Sequence, residues 1–341
     1  MADIIESDCV KIGESVSLLA LRNKNVLITG ASGFLGQYLV SAIHFANEKK
    51  DLNCKICCVG LHGPSGIIKR YLPNKNIVFR RIDLSKPFKI SGKFDYIFHA
   101  AGYGQPARFT KDPSGTIAVN VDATRQLLEL AERSGGTFVF FSSVEVYGEM
   151  PRGMKSFRET YCGNSPLSGP RAIYTASKRL GEALTMSFAD RGVRAKIARI
   201  SHVYGPGAPA NDSRVMSDFI RKAFANGEIR LLDSGRAIKT YGYIADVIAM
   251  VLFAALRGKE AVYNVGGRDT LSIRELAERI GKYCLVKVQV PRAFSLARFM
   301  GRNTGFVKPD LSRIKKEMKK IQFTPFSVGL ANTIEWFTHI S

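Results

Sequence analysis

Asn25-Val26-Leu27-Ile28-Thr29-Gly30-Ala31-Ser32-Gly33-Phe34-Leu35-Gly36 decides how this chain reads. Residues 25–29 form a short apolar strand, and Phe34 to Asn47 has the pattern of a helix. Between them lies a turn with glycine at 30, 33 and 36. Glycines there permit a tight turn and let the backbone approach a pyrophosphate, whose charge the helix N-terminus favours. A glycine triplet is weak evidence alone, but the strand-to-helix context makes it strong.

Outward from that turn, apolar strands and helical patterns alternate. Lys55 to Leu61, Ile77 to Ile82, Asp95 to His99, Thr137 to Ser142 and Ala195 to Ser201 read as buried strands. Asp112 to Ser134, with Pro113 early, and Ala172 to Arg191 read as helices. Continuous apolar strands alternating with helices predict an α/β fold with a doubly wound parallel sheet of Rossmann type. After about residue 204 the rhythm breaks at Gly205-Pro206-Gly207-Ala208-Pro209. Val215 to Ala225, Ile229 to Leu232, Ala245 to Arg257, Val262 to Val265 and Ile273 to Tyr283 then suggest a smaller, partly interleaved lobe. The expected division is an appendage at 1–22, a dinucleotide-binding domain at 23–204 and a substrate lobe at 205–341.

At 341 residues, 45% hydrophobic and 23% charged, the chain has the composition of a globular protein. Its longest purely apolar run, Ile248 to Leu256, is about half of the ~20 residues a spanning helix needs. The acidic start lacks a basic region of the secretory kind, so no membrane insertion and a cytoplasmic location are expected. Six cysteines include Cys54-Lys55-Ile56-Cys57, but this lies in a strand pattern with no second Cys/His pair, so structural thiols and no metal are expected. Fifty Lys and Arg against 29 Asp and Glu leave a net charge of +21. The cations are scattered and no nucleic-acid motif is among them. A basic surface that draws in a diphosphate substrate is the favoured reading, and no nucleic-acid partner is expected.

The second strand ends Cys58-Val59-Gly60-Leu61-His62 with no acid, where an NAD-selective site often has one; Lys69 and Arg70 follow. NAD against NADP therefore stays open on the residues. Asp83, in Arg81-Ile82-Asp83-Leu84, is the other adenine-side candidate, or a turn cap. Tyr174-Thr175-Ala176-Ser177-Lys178 sets a phenol and an ammonium at i and i+4, one face of a helix. A cation beside a phenol lowers its pKa and makes it a base near neutral pH.

Four stretches together resemble the extended short-chain dehydrogenase/reductases, the NAD-dependent epimerase/dehydratase family of nucleotide-sugar enzymes. They are Gly30 to Gly36, His99-Ala100-Ala101-Gly102, Phe141-Ser142-Ser143-Val144-Glu145-Val146-Tyr147-Gly148, and Tyr174 to Lys178. The resemblance implies NAD held by Gly30, Ser32, Gly33, Phe34, Leu35, Gly36, Asp83, Leu84, Ala100, Ala101, Gly102, Tyr174 and Lys178. It also implies Ser143 on the substrate hydroxyl, Tyr174 as acid/base, and Lys178 on the nicotinamide ribose, tuning Tyr174. Glu145 would transfer a proton at sugar C5 or handle C6.

A finer likeness, to UDP-glucuronate decarboxylases and 4,6-dehydratases, rests on Gly169-Pro170-Arg171-Ala172-Ile173-Tyr174, Asn211 to Phe219 and Lys308-Pro309-Asp310-Leu311. It implies a nucleotide-diphosphate sugar near Ser142, His202, Arg214, Val215 and Lys239, and a homodimer paired through the long helices. Three residues depart from that pattern: Val144 where the relatives carry Asp or Ser, Lys239 for Arg, and His202 for Asn. The expected chemistry is oxidation at C4 followed by decarboxylation or dehydration. C4 epimerisation, a stand-alone dehydrogenase and a non-catalytic binding protein are the alternatives.

Overall fold

A computed structural model describes residues 2–291, 307–319 and 321–339. The strands are β1 (Asn25–Thr29), β2 (Lys55–Gly60), β3 (Ile77–Arg81), β4 (Tyr96–His99), β5 (Thr137–Ser143), β6 (Arg194–Ile200), β7 (His202–Tyr204), β8 (Glu228–Arg230), β9 (Ile238–Tyr243), β10 (Val262–Val265), β11 (Asp269–Ser272) and β12 (Lys287–Gln289). The helices are α1 (Ala2–Ser15), α2 (Phe34–Lys50), α3 (Gly66–Tyr71), α4 (Pro106–Lys111), α5 (Pro113–Ile117), α6 (Ala123–Ser134), α7 (Ala172–Asp190), α8 (Val215–Asn226), α9 (Ile244–Leu256), α10 (Ile273–Cys284), α11 (Ser312–Glu317) and α12 (Phe326–Thr338).

Seven strands form one sheet in the order β3-β2-β1-β4-β5-β6-β10, every pairing parallel. Alternate residues of each strand serve opposite faces. Val26, Ile28, Ile56, Cys58, Phe98, Val139 and Phe141 pack with α1, α2 and α9. Leu27, Cys57, Val59, Ile97, Phe138 and Phe140 pack with α6 and α7. Both faces are covered, which is why the strands read as unbroken apolar runs. The strand order reverses between β1 and β4, and ligands of such sheets bind in the crevice at that point.

Beyond residue 204 the chain returns to the large sheet. α9, buried and apolar apart from Asp246 in its first turn, leads into β10, which pairs with β6. A strand from beyond residue 204 thus completes the large sheet. The remaining strands form a small sheet β11-β9-β7 and a pair β12-β8. The region expected as one helix over 112–134 is α5 and α6 joined by a π-helical turn at Ala118–Asp122. Asp112 caps its start by accepting Gly115 N–H, with Pro113 at the first turn. The N-terminal segment is an ordered helix whose Ile5, Cys9 and Ile12 are buried in the main core. Among the described residues no helix is long and apolar enough to cross a membrane.

Cys57 and Cys58 point to opposite faces of β2, and burial pushes the Cys54 and Cys58 thiols up to about 12. No group of three or more His, Cys, Asp or Glu able to hold a metal ion occurs among the described residues.

Candidate active site

The glycine turn is dictated by crowding. Gly30 has φ +68°, and a Cβ there would lie 2.6 Å from Ala101 N; at Gly36 it would lie 2.1 Å from Gly30 O. The turn thus closes against the end of β4 and against itself, leaving a cleft of about 440 Å³ at the sheet's carboxyl edge. Gly30, Ser32, Gly33, Phe34, Leu35 and Gly36 line it from one side, and Asp83, Leu84, Ala100, Ala101 and Gly102 from the other. Asp83 also has the alternative role, because its Oδ1 accepts from Ser85 N (3.0 Å) and Ser85 Oγ (2.6 Å), which hold its carboxyl below the usual range. These residues fit a dinucleotide, since only a backbone without side chains leaves room for a pyrophosphate at the start of α2.

A second cleft of about 160 Å³ shares Leu35, Ala100–Gly104 and Arg214 with the first, so the two are continuous. It holds Ser143, Glu145, Tyr174, Lys178, Ser142 and His202. β5 delivers Ser143 at its last residue, and a 3₁₀ turn at Val144–Tyr147 delivers Glu145. The Ser143 hydroxyl accepts Glu145 N–H (3.2 Å) and is hydrogen-bonded to Tyr174. The Tyr174 ring stacks on Phe109, centroids 4.7 Å apart.

Lys178 Nζ donates to Phe141 O at 2.8 Å, and burial pulls its pKa down to about 7 against the field of Glu182. Burial raises the Tyr174 pKa, Glu145 raises it further, and the cations that oppose them are Arg171 and Arg214. Desolvation disfavours the phenolate more than these charges and the Ser143 bond favour it.

Ser142 lines the cleft, but its hydroxyl donates to Glu182 Oε1 at 2.5 Å, inside the buried Glu182–Arg199 pair. His202 is neutral at ordinary pH: burial, then Lys239, Arg171 and Arg214, bring its pKa to about 3, and its Nδ1 has no partner among the described residues. Arg214 stands where the two clefts join, held by Asp212 (Nη2–Oδ2 2.7 Å) and lying over the Phe34 ring. Burial pushes the Asp212 carboxyl up, but the bonds from Arg214 and Ser217 outweigh it and leave the pKa lowered. Val215 is the first residue of α8 and packs against the main core rather than lining either cleft. Lys239 is buried in β9 behind the site; burial brings its pKa to about 8, and Glu145 acts on it.

Sequence reasoning did not single out Arg171, Phe109, Asp212 or Asn120. Arg171 Nη1 donates to Glu145 Oε1 at 2.6 Å. Asn120 sits in the π turn, donates to Ser177 Oγ at 3.0 Å, and its Oδ1 is buried without a partner among the described residues. Arg171 was visible beside Tyr174, but nothing in the spacing reveals a partner 26 residues away.

A parallel sheet reversing beside a glycine turn, with Ser, Tyr and Lys gathered in the adjoining cleft, is the architecture of an extended short-chain dehydrogenase/reductase. The chain belongs to the NAD dependent epimerase/dehydratase family, whose model matches residues 26–266, and NAD is the cofactor of that family. It is 27% identical over 295 residues to UDP-glucuronic acid decarboxylase 6 of Arabidopsis thaliana, covering 86% of this chain and 83% of the relative. DesIV, a dTDP-glucose 4,6-dehydratase from Streptomyces venezuelae solved with NAD bound, superposes with a TM-score of 0.78 at 22% identity, covering 92% of this chain and 97% of that one. MoeE5 in complex with UDP-glucuronic acid and NAD superposes at 0.73 with 23% identity, covering 93% and 100%. At these identities the two structures establish the fold.

Proposed function

We propose that this chain modifies a nucleotide-diphosphate sugar, oxidising C4 and then decarboxylating or dehydrating the 4-keto sugar. The observation that carries the reading is one continuous cleft in which Tyr174, Ser143 and Glu145 face the end of the glycine-turn cleft. NAD, when bound, supplies the hydride acceptor for C4. Tyr174 takes the C4 hydroxyl proton, and Ser143, bonded to the phenol, orients that hydroxyl. Lys178 is the candidate to hold the nicotinamide ribose. Arg214 and His202 are the candidates to hold the diphosphate or sugar hydroxyls, with Lys239 behind them.

A 4-ketone makes the C5 hydrogen acidic and turns a C6 carboxylate into a β-keto acid. In decarboxylation the C5–C6 bond breaks, its electron pair passes toward the ketone oxygen, CO₂ leaves, and a proton returns to C5. In dehydration Glu145 takes the C5 proton and returns it to the departing C6 hydroxyl, which leaves as water. The decarboxylase likeness makes UDP-glucuronic acid the first substrate to try. A homodimer is the expected assembly, the faces of α6 and α7 its candidate interface.

The test is incubation with UDP-, dTDP-, GDP- and CDP-sugars, read by mass spectrometry. Loss of CO₂ identifies decarboxylation, loss of water dehydration, and unchanged mass with altered stereochemistry epimerisation. Net release of reduced nicotinamide, stoichiometric with product, would replace the reading by a stand-alone dehydrogenase. No reaction with any of these sugars would sink it.

A further inference from the structure

Arg171 precedes α7, three residues before Tyr174, and touches two parts of the proposed machinery without belonging to either. Its Nη1 holds Glu145 Oε1 at 2.6 Å, with both side chains largely buried. Its guanidinium carbon lies 6.0 Å from the centre of the Phe109 ring, which stacks on Tyr174. The pair is half satisfied: Glu145 Oε2 and Arg171 Nε are buried with no partner among the described residues. A buried carboxylate oxygen left unpaired in a cleft is costly unless a ligand meets it.

The backbone beneath Glu145 is pinned independently. Its N–H donates to Ser143 Oγ, and Ser165 Oγ donates to the carbonyls of Glu145 and Val146. Among the described residues the carboxylate itself accepts one hydrogen bond, the one from Arg171. Lys239, also buried, is a second cation whose ionisation Glu145 favours. Without Arg171, the three-bond glutamate side chain is free to turn toward Lys239.

We infer that Arg171 is a positioning residue for the second half of the reaction. It holds Glu145 so that Oε2 faces the C5–C6 end of the sugar, and its main effect falls on this second step rather than on removal of hydride from C4. The inference rests on the two-step reading above. In its dehydration form, Oε2 accepts the C5 proton, the C5–H electron pair forms the C5–C6 double bond, and the C6–O bond breaks as Glu145 passes that proton to the departing hydroxyl, which leaves as water. Arg171 keeps its own protons throughout.

The experiment uses the full chain with NAD, and UDP-glucuronic acid and dTDP-glucose as probes, in single-turnover mixing. Reduced-nicotinamide absorbance reports the C4 step and mass spectrometry reports the product. Arg171→Gln is expected to slow the formation of reduced nicotinamide no more than a few-fold, since burial, Glu145 and the Ser143 bond each outrank Arg171 at Tyr174, and to make product about 10²-fold more slowly, the scale of a misplaced catalytic group. Reduced nicotinamide then persists. Arg171→Lys recovers part of the product rate, because one bond to Oε1 can be remade. Arg171→Gln with Glu145→Gln is no slower than Glu145→Gln alone, since the two act as one unit.

A crystal structure of Arg171→Gln with NAD should show the Glu145 carboxylate turned toward Lys239. Equal slowing of both steps, additive effects in the double variant, or an unmoved Glu145 overturns the inference while leaving the two-step reading in place. If the native chain transforms neither sugar nor any other nucleotide sugar, that reading falls. The Glu145 orientation in the variant crystal then decides the positioning claim by itself.

Discussion

At Tyr174 two opposed effects meet. Burial and the Glu145 charge favour the phenol, while the Ser143 bond, Arg171 and Arg214 favour the phenolate. Proton transfer at this oxygen therefore depends on cations and hydrogen bonds delivered by other segments, and Tyr174→Phe removes the transferable proton without altering the stack on Phe109. The expected result is a loss of about 10²- to 10⁴-fold in kcat with NAD affinity within a few-fold of native, measured by turnover and by cofactor titration. A second residue-scale expectation concerns Gly60, the last residue of β2. Its hydrogen stands where an NAD-selecting carboxylate would stand. An added Cβ would meet the tip of Phe79 at 3.0 Å, and His62 O and Ser32 Oγ each at 3.4 Å, so a side chain fits with a small ring shift. Gly60→Asp should bind the adenosine ribose and repel a 2′-phosphate, raising the ratio of NADP⁺ to NAD⁺ dissociation constants by about tenfold or more. An unchanged ratio would place cofactor choice elsewhere in the cleft.

Among the elements, α1 is the one whose docking is electrostatically costly. Asp8 is buried between the Tyr38 hydroxyl (2.5 Å) and the Tyr243 hydroxyl (2.8 Å), while Lys11 on the same helix pairs with Asp246 of α9. Burial raises the Asp8 pKa to about 6, with the two tyrosines and Lys11 only partly offsetting it. A folded-state pKa above the unfolded value means the folded protein holds this proton longer. The contribution is therefore fully favourable below about pH 4 and is lost as pH rises through about 6. Two pH units correspond to about 3 kcal/mol as an upper bound. Asp8→Asn should accordingly stabilise the protein more at pH 7 than at pH 4, as read by urea unfolding at both; equal effects would remove Asp8 as the source. None of this is legible in residues 1–22, whose apolar spacing is only roughly helical and whose acid looks like a surface charge. The sheet is the opposite case. β1, β2, β4 and β5 announce themselves by apolar residues on both faces, and the observed ends of β1 to β6 fall within a residue or so of the expected ones. The π turn carrying Asn120 has no residue signature, so a long helix was all the pattern could convey.

At the scale of the whole molecule, legibility follows distance along the chain. Tyr174 and Lys178 are visible because a helix brings i and i+4 together, and the glycine turn because its crowding is local. Arg171 reaching Glu145, and Val262–Val265 joining β6, depend on tertiary closure that no short window contains. Net charge is the global property that sequence conveys fully, and it carries its own consequence. A chain at +21 surrounds its cleft with a positive potential, and a nucleotide-diphosphate ligand approaching it is steered over roughly a Debye length, about 10 Å at 0.1 M salt. In the proposed complex the ligand would lie beside the half-buried Arg214, whose charge salt screens much less. Raising ionic strength should therefore lower kcat/KM for the sugar nucleotide several-fold while kcat stays nearly constant. Steady-state kinetics over a sodium chloride series checks this. Lys259→Glu combined with Arg257→Glu, two exposed cations at the amino-terminal edge of the sheet, far from the catalytic cleft, should leave kcat and the salt dependence nearly unchanged, because screening cuts off their field before the cleft. A salt dependence left intact by that pair would confine the steering to charges beside the cleft mouth, Arg108 and Arg214 foremost.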